Sequence, residues 1–164
     1  MNGWQADKRW SDVFLPEIKS VIGSYLICEA PVEEDQERNS DLMVLKLDSV
    51  RIACRIRRAN WVSKSGEFTI REGRPSGVKT ELTKIIEGWG DYLFYGFGSD
   101  DGKLLHWTLG DLKAFRLYLS RQLAVCRGRL PGVPITNRDG SSSFRVYRWN
   151  DVPKMVIGST ETRS

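Results

Sequence analysis

The sequence predicts an α+β fold, a mixed β-sheet with a β-meander core flanked by helices, and three observations carry that prediction. Apolar residues recur at helical spacing over 11–28 and again over 108–126. Residues 50–57 alternate apolar with charged side chains, the period of a half-covered strand. Residues 91–97 form an unbroken aromatic and aliphatic run, which suits a strand buried on both faces.

The elements follow in order. Phe14, Ile18, Val21, Ile22, Tyr25 and Leu26 mark one face of a first helix. Ser11 is placed to cap it, and Pro16 sits early, where a missing N–H is harmless. Pro31 closes that element. A strand is expected from Asp41 to Leu47, a turn at Asp48-Ser49, and a second strand over 50–57. There Val50, Ile52, Cys54 and Ile56 point one way and Arg51, Ala53, Arg55 and Arg57 the other. With Glu67–Arg71 as a third strand, these read as an antiparallel meander. Ser76 is the expected cap of a second helix through Val78, Leu82, Ile85 and Ile86, ending at Gly88. Thr108 and Asp111 resemble a capping box for a third helix through Leu112, Phe115, Leu119 and Leu123. Phe144–Trp149 reads as a late strand, whose edge invites pairing across a two-fold axis.

The chain of 164 residues supplies one domain, expected over 1–158, with a flexible tail over 159–164. No run approaches the roughly 18 apolar residues of a membrane-spanning helix, so no membrane partner is expected. The start MNGWQADKRW lacks the apolar stretch of a secretion signal, which predicts a cytoplasmic protein. Three scattered cysteines do not make a disulfide framework, and a single histidine, His106, leaves no His-rich metal site. His106, beside Trp107 at a helix entry, reads as structural, and Cys54 as core packing. No GxGxxG or GxxxxGK[ST] motif occurs.

The net charge of +4 is small, but its distribution is uneven. Residues 29–41 hold Glu29, Glu33, Glu34, Asp35, Glu37 and Asp41 against Arg38 alone, whereas residues 51–58 hold Arg51, Arg55, Arg57 and Arg58 and no acid. Acids beside a basic strand suit metal-assisted chemistry on a phosphodiester, and suit an internal salt-bridge network equally well. Arg51, Arg57, Arg71, Lys79 and Lys84 are the candidate nucleic-acid contacts, and Glu81 and Lys84 share a helix face at i, i+3.

Helix, strands, helix, strand, with Ser40-Asp41-Leu42-Met43-Val44 opening one strand and Arg51-Ile52-Ala53-Cys54-Arg55-Ile56 forming the next, is similar to the PD-(D/E)XK nuclease superfamily over residues 11–97. The resemblance implies a restriction-endonuclease-like fold and a phage or prophage endonuclease acting on DNA; RNA is kept as another partner, and the edge of the late strand Phe144–Trp149 suits a homodimer. It places the first metal-binding carboxylate on Asp41, the catalytic cation on Arg55 and the helix glutamate on Glu17. Ala53 stands where the family has a second acid. Glu33 or Asp35 is then expected to join Asp41 in holding Mg²⁺ or Mn²⁺, hard cations that prefer oxygen ligands. Arginine clamps phosphate but cannot give up its proton, so Arg55 is no base. Ala53 also suits a nuclease-fold protein that has lost the chemistry and binds nucleic acid or a host protein. The aromatic segment Phe144, Tyr147 and Trp149 suits a protein-interaction module.

Overall fold

A computed structural model describes residues 3–29, 42–44, 50–74 and 76–160. The chain divides into two compact units, 1–49 and 50–164. Among the described residues no helix is long and apolar enough to cross a membrane.

In the first unit, α1 (Gly3–Asp12) and α2 (Leu15–Leu26) are separated by a two-residue turn, and β1 (Ile27–Glu29) pairs antiparallel with β2 (Leu42–Val44). Ser11 was expected to start a helix, yet it lies in the last turn of α1, where its hydroxyl donates to the Lys8 carbonyl (2.8 Å). The break falls at 13–14 because Phe14 turns inward, fully buried with its ring edge-on to Trp10 at 5.0 Å. Ile18, Val21 and Ile22 continue the buried face.

The second unit is mixed α+β. One sheet runs β3 (Ile52–Arg58), β5 (Tyr92–Gly98), β6 (Leu104–Asp111), β9 (Val156–Ser159). The other runs β4 (Glu67–Gly73), β8 (Ser143–Arg148), β7 (Val133–Thr136). The helices are α3 (Glu81–Ile86) and α4 (Leu112–Val125). The expected meander does not form: β3 pairs parallel with β5, and β4 pairs antiparallel with β8. Two causes are visible. A six-residue 3-10 helix, Ala59–Lys64, replaces a tight hairpin turn after β3. The strand apolar on both faces, β5, takes the central position, between β3 and β6.

The core gathers Phe68 and Ile70 from β4, Leu93, Tyr95 and Phe97 from β5, Leu82 and Ile85 from α3, Leu112, Phe115 and Leu119 from α4, and Tyr147, Trp149 and Met155. Phe68 is its hub, with ring centroids 4.3 Å from Trp149, 5.3 Å from Phe115 and 5.4 Å from Tyr147. Gly110 is required here, since a Cβ would stand 2.8 Å from Cζ3 of Trp149.

Several boundaries move from their expected places. α3 is capped by Thr80, which accepts from the Thr83 N–H, rather than by Ser76, and it leaves Val78 and Ile86 exposed. α4 is capped by Asp111, whose carboxylate accepts from Lys113 N (2.6 Å) and Ala114 N (3.3 Å). Thr108 is instead buried in β6, because residues 104–111 extend along β5 as its antiparallel partner. That pairing puts His106 in the strand opposite Phe97 rather than at a helix entry. Cys54, expected to pack in the core, is exposed, since the core lies on the opposite face of β3, where Ala53 packs. β8 has neighbours on both sides and offers no free edge for a two-fold pairing. β9 takes in Ser159, and Trp107 N donates to Thr160 Oγ1 (2.8 Å), so two residues assigned to the tail are tied to the sheet.

Candidate functional site

The face of β3 that carries Arg51, Ala53, Arg55 and Arg57 is in register with the core face of β5, Ala53 beside Leu93 and Arg55 beside Tyr95. β3 is an edge strand, so its inward face reaches the rim of the core and long cationic side chains can lay their stems there. The result is a pocket of about 500 Å³. Its cations are Arg51 and Arg55 from the β3 segment, Arg71 and Arg74 from β4 and its exit, and Lys79 and Lys84 around α3. Ala53, Ile85 and Leu112 supply apolar wall, and Glu81 is the one carboxylate of the lining among the described residues.

Arg55 is fully committed. Its Nη1 donates to the Thr69 carbonyl (2.9 Å) and to Thr69 Oγ1 (3.2 Å), and its Nη2 donates to Glu81 Oε2. The same Glu81 oxygen accepts the Arg71 backbone N–H (3.1 Å), and Thr69 Oγ1 lies 3.1 Å from the Tyr95 hydroxyl. Arg55 thus ties β3 to β4 and α3 and fixes the acid. Lys79 is held by Glu87 at 2.7 and 2.9 Å.

Arg71 differs from both. Its guanidinium lies 5.2 Å over the Phe144 ring, and among the described residues it makes no ion pair and its buried Nε has no hydrogen-bond partner. Burial, then the neighbouring charges of Arg74 and Arg55, lower its pKa below the ordinary value, and Glu81 offsets part of this. A guanidinium so placed carries positive charge beside other cations with little compensation, the setting in which an anion would be favoured.

Two aromatic side chains flank the basic face of β3. Trp89, 56 % exposed, has the Arg51 guanidinium 5.1 Å over its ring; Trp61, 50 % exposed, has that of Arg57 at 5.5 Å. Trp89 is presented by Gly88 and Gly90, both at positive φ (96° and 81°). The Gly90 carbonyl is pinned by Arg116 Nη1 (2.9 Å).

Of the residues singled out from sequence, Arg51, Arg55, Arg71, Lys79 and Lys84 meet in this pocket, and Arg57 continues the row toward Trp61. Glu17 is exposed on α2 in the first unit. Asp41, Glu33 and Asp35 lie outside the described residues. Sequence reasoning missed Arg74, and a tryptophan between two glycines, Gly88-Trp89-Gly90, is a usable sign of a presented ring. Among the described residues there is no group of three or more His, Cys, Asp or Glu side chains placed to hold a metal ion. Among the described residues of the pocket the one carboxylate is Glu81, whose Oε2 already accepts two hydrogen bonds, so these residues alone do not supply the oxygen ligands that Mg²⁺ or Mn²⁺ prefers.

Comparison with protein-family models, with curated proteins and with solved structures finds no match to this chain.

Proposed function

We propose that the unit beginning at Val50 binds nucleic acid, DNA in single-stranded form, through the cationic pocket and the arginine row of β3, without hydrolysis by the residues of the pocket. The observation that carries this reading is Arg71, a half-buried guanidinium that makes no ion pair among the described residues and is set among five further cations and, among the described residues, one acid. Backbone phosphates supply the missing charge, and exposed Trp89 and Trp61 supply flat faces for unpaired bases, the combination that single-strand binders use. Over the seven residues from Arg51 to Arg57 the row spans roughly 20 Å, enough to meet several phosphates.

Fluorescence anisotropy of a labelled single strand, titrated with protein in EDTA at several salt concentrations, tests this. The expected log–log salt slope is about −3, from four phosphate contacts at about 0.7 each. Trp89→Ala is expected to weaken binding at least fivefold. Affinity that does not change with salt rejects the reading.

A second reading, a Mg²⁺-dependent endonuclease, rests on the sequence resemblance carried by Asp41–Val44 and Arg51–Ile56. Its acids would be Asp41 with Glu33 or Asp35. Metal-dependent cleavage of a labelled DNA that Asp41→Ala abolishes would select it. No cleavage at any Mg²⁺ or Mn²⁺ concentration rejects it.

A further inference from the structure

Resting on the nucleic-acid reading of the same pocket, we infer that it is a subsite for a strand end, taking the terminal phosphate monoester on Arg51, Arg71, Arg74 and Lys84 with the terminal base against Trp89. Six cations line the pocket, and two of them are spent: Arg55 on Glu81 and Lys79 on Glu87. None of the four that remain makes an ion pair among the described residues, and they share one concave site rather than a ridge. An internal phosphodiester brings one negative charge and two free oxygens. A terminal monoester brings close to two charges at neutral pH and three free oxygens, so it satisfies more of these donors at one point.

The apolar wall of Ala53, Ile85 and Leu112 lowers the local dielectric around the cations, which strengthens their hold on a concentrated charge. The volume of about 500 Å³ lies in the range of small-ligand pockets and suits one nucleotide. Arg51 orders the mouth. Its backbone N–H is fixed by Asp91 Oδ2 (2.8 Å) while its guanidinium covers one face of Trp89, which leaves that ring positioned beside the cations for a terminal base.

The test is a competition-free anisotropy series in EDTA with one short single-stranded DNA sequence in four forms: 5′-phosphorylated, 3′-phosphorylated, hydroxyl at both ends, and circularised. One phosphorylated form is expected to bind about tenfold more tightly than the hydroxyl-ended form, and the arm that does so names the end recognised. Lys84→Ala and Arg74→Ala, both at exposed side chains, are expected to shrink that preference to under threefold while thermal unfolding stays cooperative. Equal binding by all four forms overturns the strand-end subsite and leaves the nucleic-acid reading intact. Salt-sensitive binding by none of them overturns both. A preference that survives the double variant Arg74→Ala/Lys84→Ala overturns the assignment to this pocket.

Discussion

Glu81 is the residue at which binding and stability are expected to move in opposite directions. Its Oε2 accepts from Arg55 Nη2 and from the Arg71 N–H at 3.1 Å, and among the described residues it is the one carboxylate beside six cations of the pocket lining. Glu81→Gln keeps the shape and an oxygen that can accept both hydrogen bonds, and removes only the charge. The side chains of the Arg55–Glu81 pair are 20 % and 24 % exposed, which places the pair between a surface ion pair and a buried one. Surface pairs contribute about 0–1 kcal/mol, whereas breaking a fully buried pair costs about 3–5 kcal/mol. With the neutral hydrogen bond retained, a loss of about 1–2 kcal/mol follows, or roughly 4–8 °C in Tm for a domain of this size.

The same change raises the positive charge of the pocket by one. A charge several ångströms from a bound phosphate, screened by solvent at the mouth, changes affinity by about threefold to tenfold. Glu81→Gln is therefore expected to bind single-stranded DNA three to ten times more tightly, with a steeper salt slope, while melting earlier. Thermal unfolding followed by circular dichroism and anisotropy titration at matched salt measure the two effects separately. A carboxylate that served as a metal ligand would behave in the reverse way, since its loss would weaken metal-dependent binding and cleavage. Weaker DNA binding in EDTA by a variant that is still folded would refute the electrostatic account of the pocket.

Other substitutions probe the scaffold. Tyr147 is buried, its hydroxyl has no hydrogen-bond partner among the described residues, and burial raises its pKa above the ordinary phenol range. Tyr147→Phe is accordingly expected to stabilise by about 1 kcal/mol in chemical denaturation, and a loss of stability would show that the hydroxyl is satisfied in solution. Phe68→Ala empties the hub of the aromatic cluster and is expected to cost about 3–5 kcal/mol, read as a lower denaturant midpoint at unchanged slope. Asp111→Ala removes both bonds at the start of α4 and is expected to cost about 1 kcal/mol, with Asp111→Asn recovering most of it.

Local periodicity made the second unit's α4, its central strand β5 and its late strand β8 legible in the sequence, because each buries an apolar pattern longer than one turn or two strand repeats. Pairing was not legible. The alternation in 50–57 is that of a strand beside either neighbour, and only the demand that β5 be covered on both sides decides that β3 runs parallel to it. β6 escaped notice because Leu104, His106 and Thr108 alternate weakly and Thr108-x-x-Asp111 imitates a capping box; the true cap, Asp111, was read as its third position. β7 and β9 are four residues each, and β7 begins Val133-Pro134, too short and too irregular to read as a strand. In the candidate site, strand parity placed Arg51 and Arg55 on one face of 50–57, but nothing local showed that Arg71, Lys79 and Lys84 would line the same pocket. The commitment of Arg55 to Glu81 was not legible either, because it links residues 26 apart through the placement of α3 beside β4.

The arginines of β3 also bear on why a cationic pocket sits at this point of the fold. An inward-facing arginine in a central strand would require a buried counter-charge for every copy, at a desolvation cost that hydrophobic residues avoid. At the edge strand the cost falls, because the stems pack on the core rim and the heads stay near water. One acid, Glu81, then suffices to fix Arg55, while Arg51, Arg71 and Arg74 make no ion pair among the described residues. Such a surplus disfavours the folded state when nothing is bound, since Arg71, Arg74 and Arg55 repel one another at close range. A bound polyanion cancels that repulsion and stabilises the folded form by mass action, so single-stranded DNA is expected to raise Tm and neutralisation of Arg71 to raise it without ligand. An Arg71→Met variant that melts earlier than the parent, with no gain in the absence of DNA, would show that its packing over Phe144 outweighs the repulsion and that the surplus charge carries no stored cost.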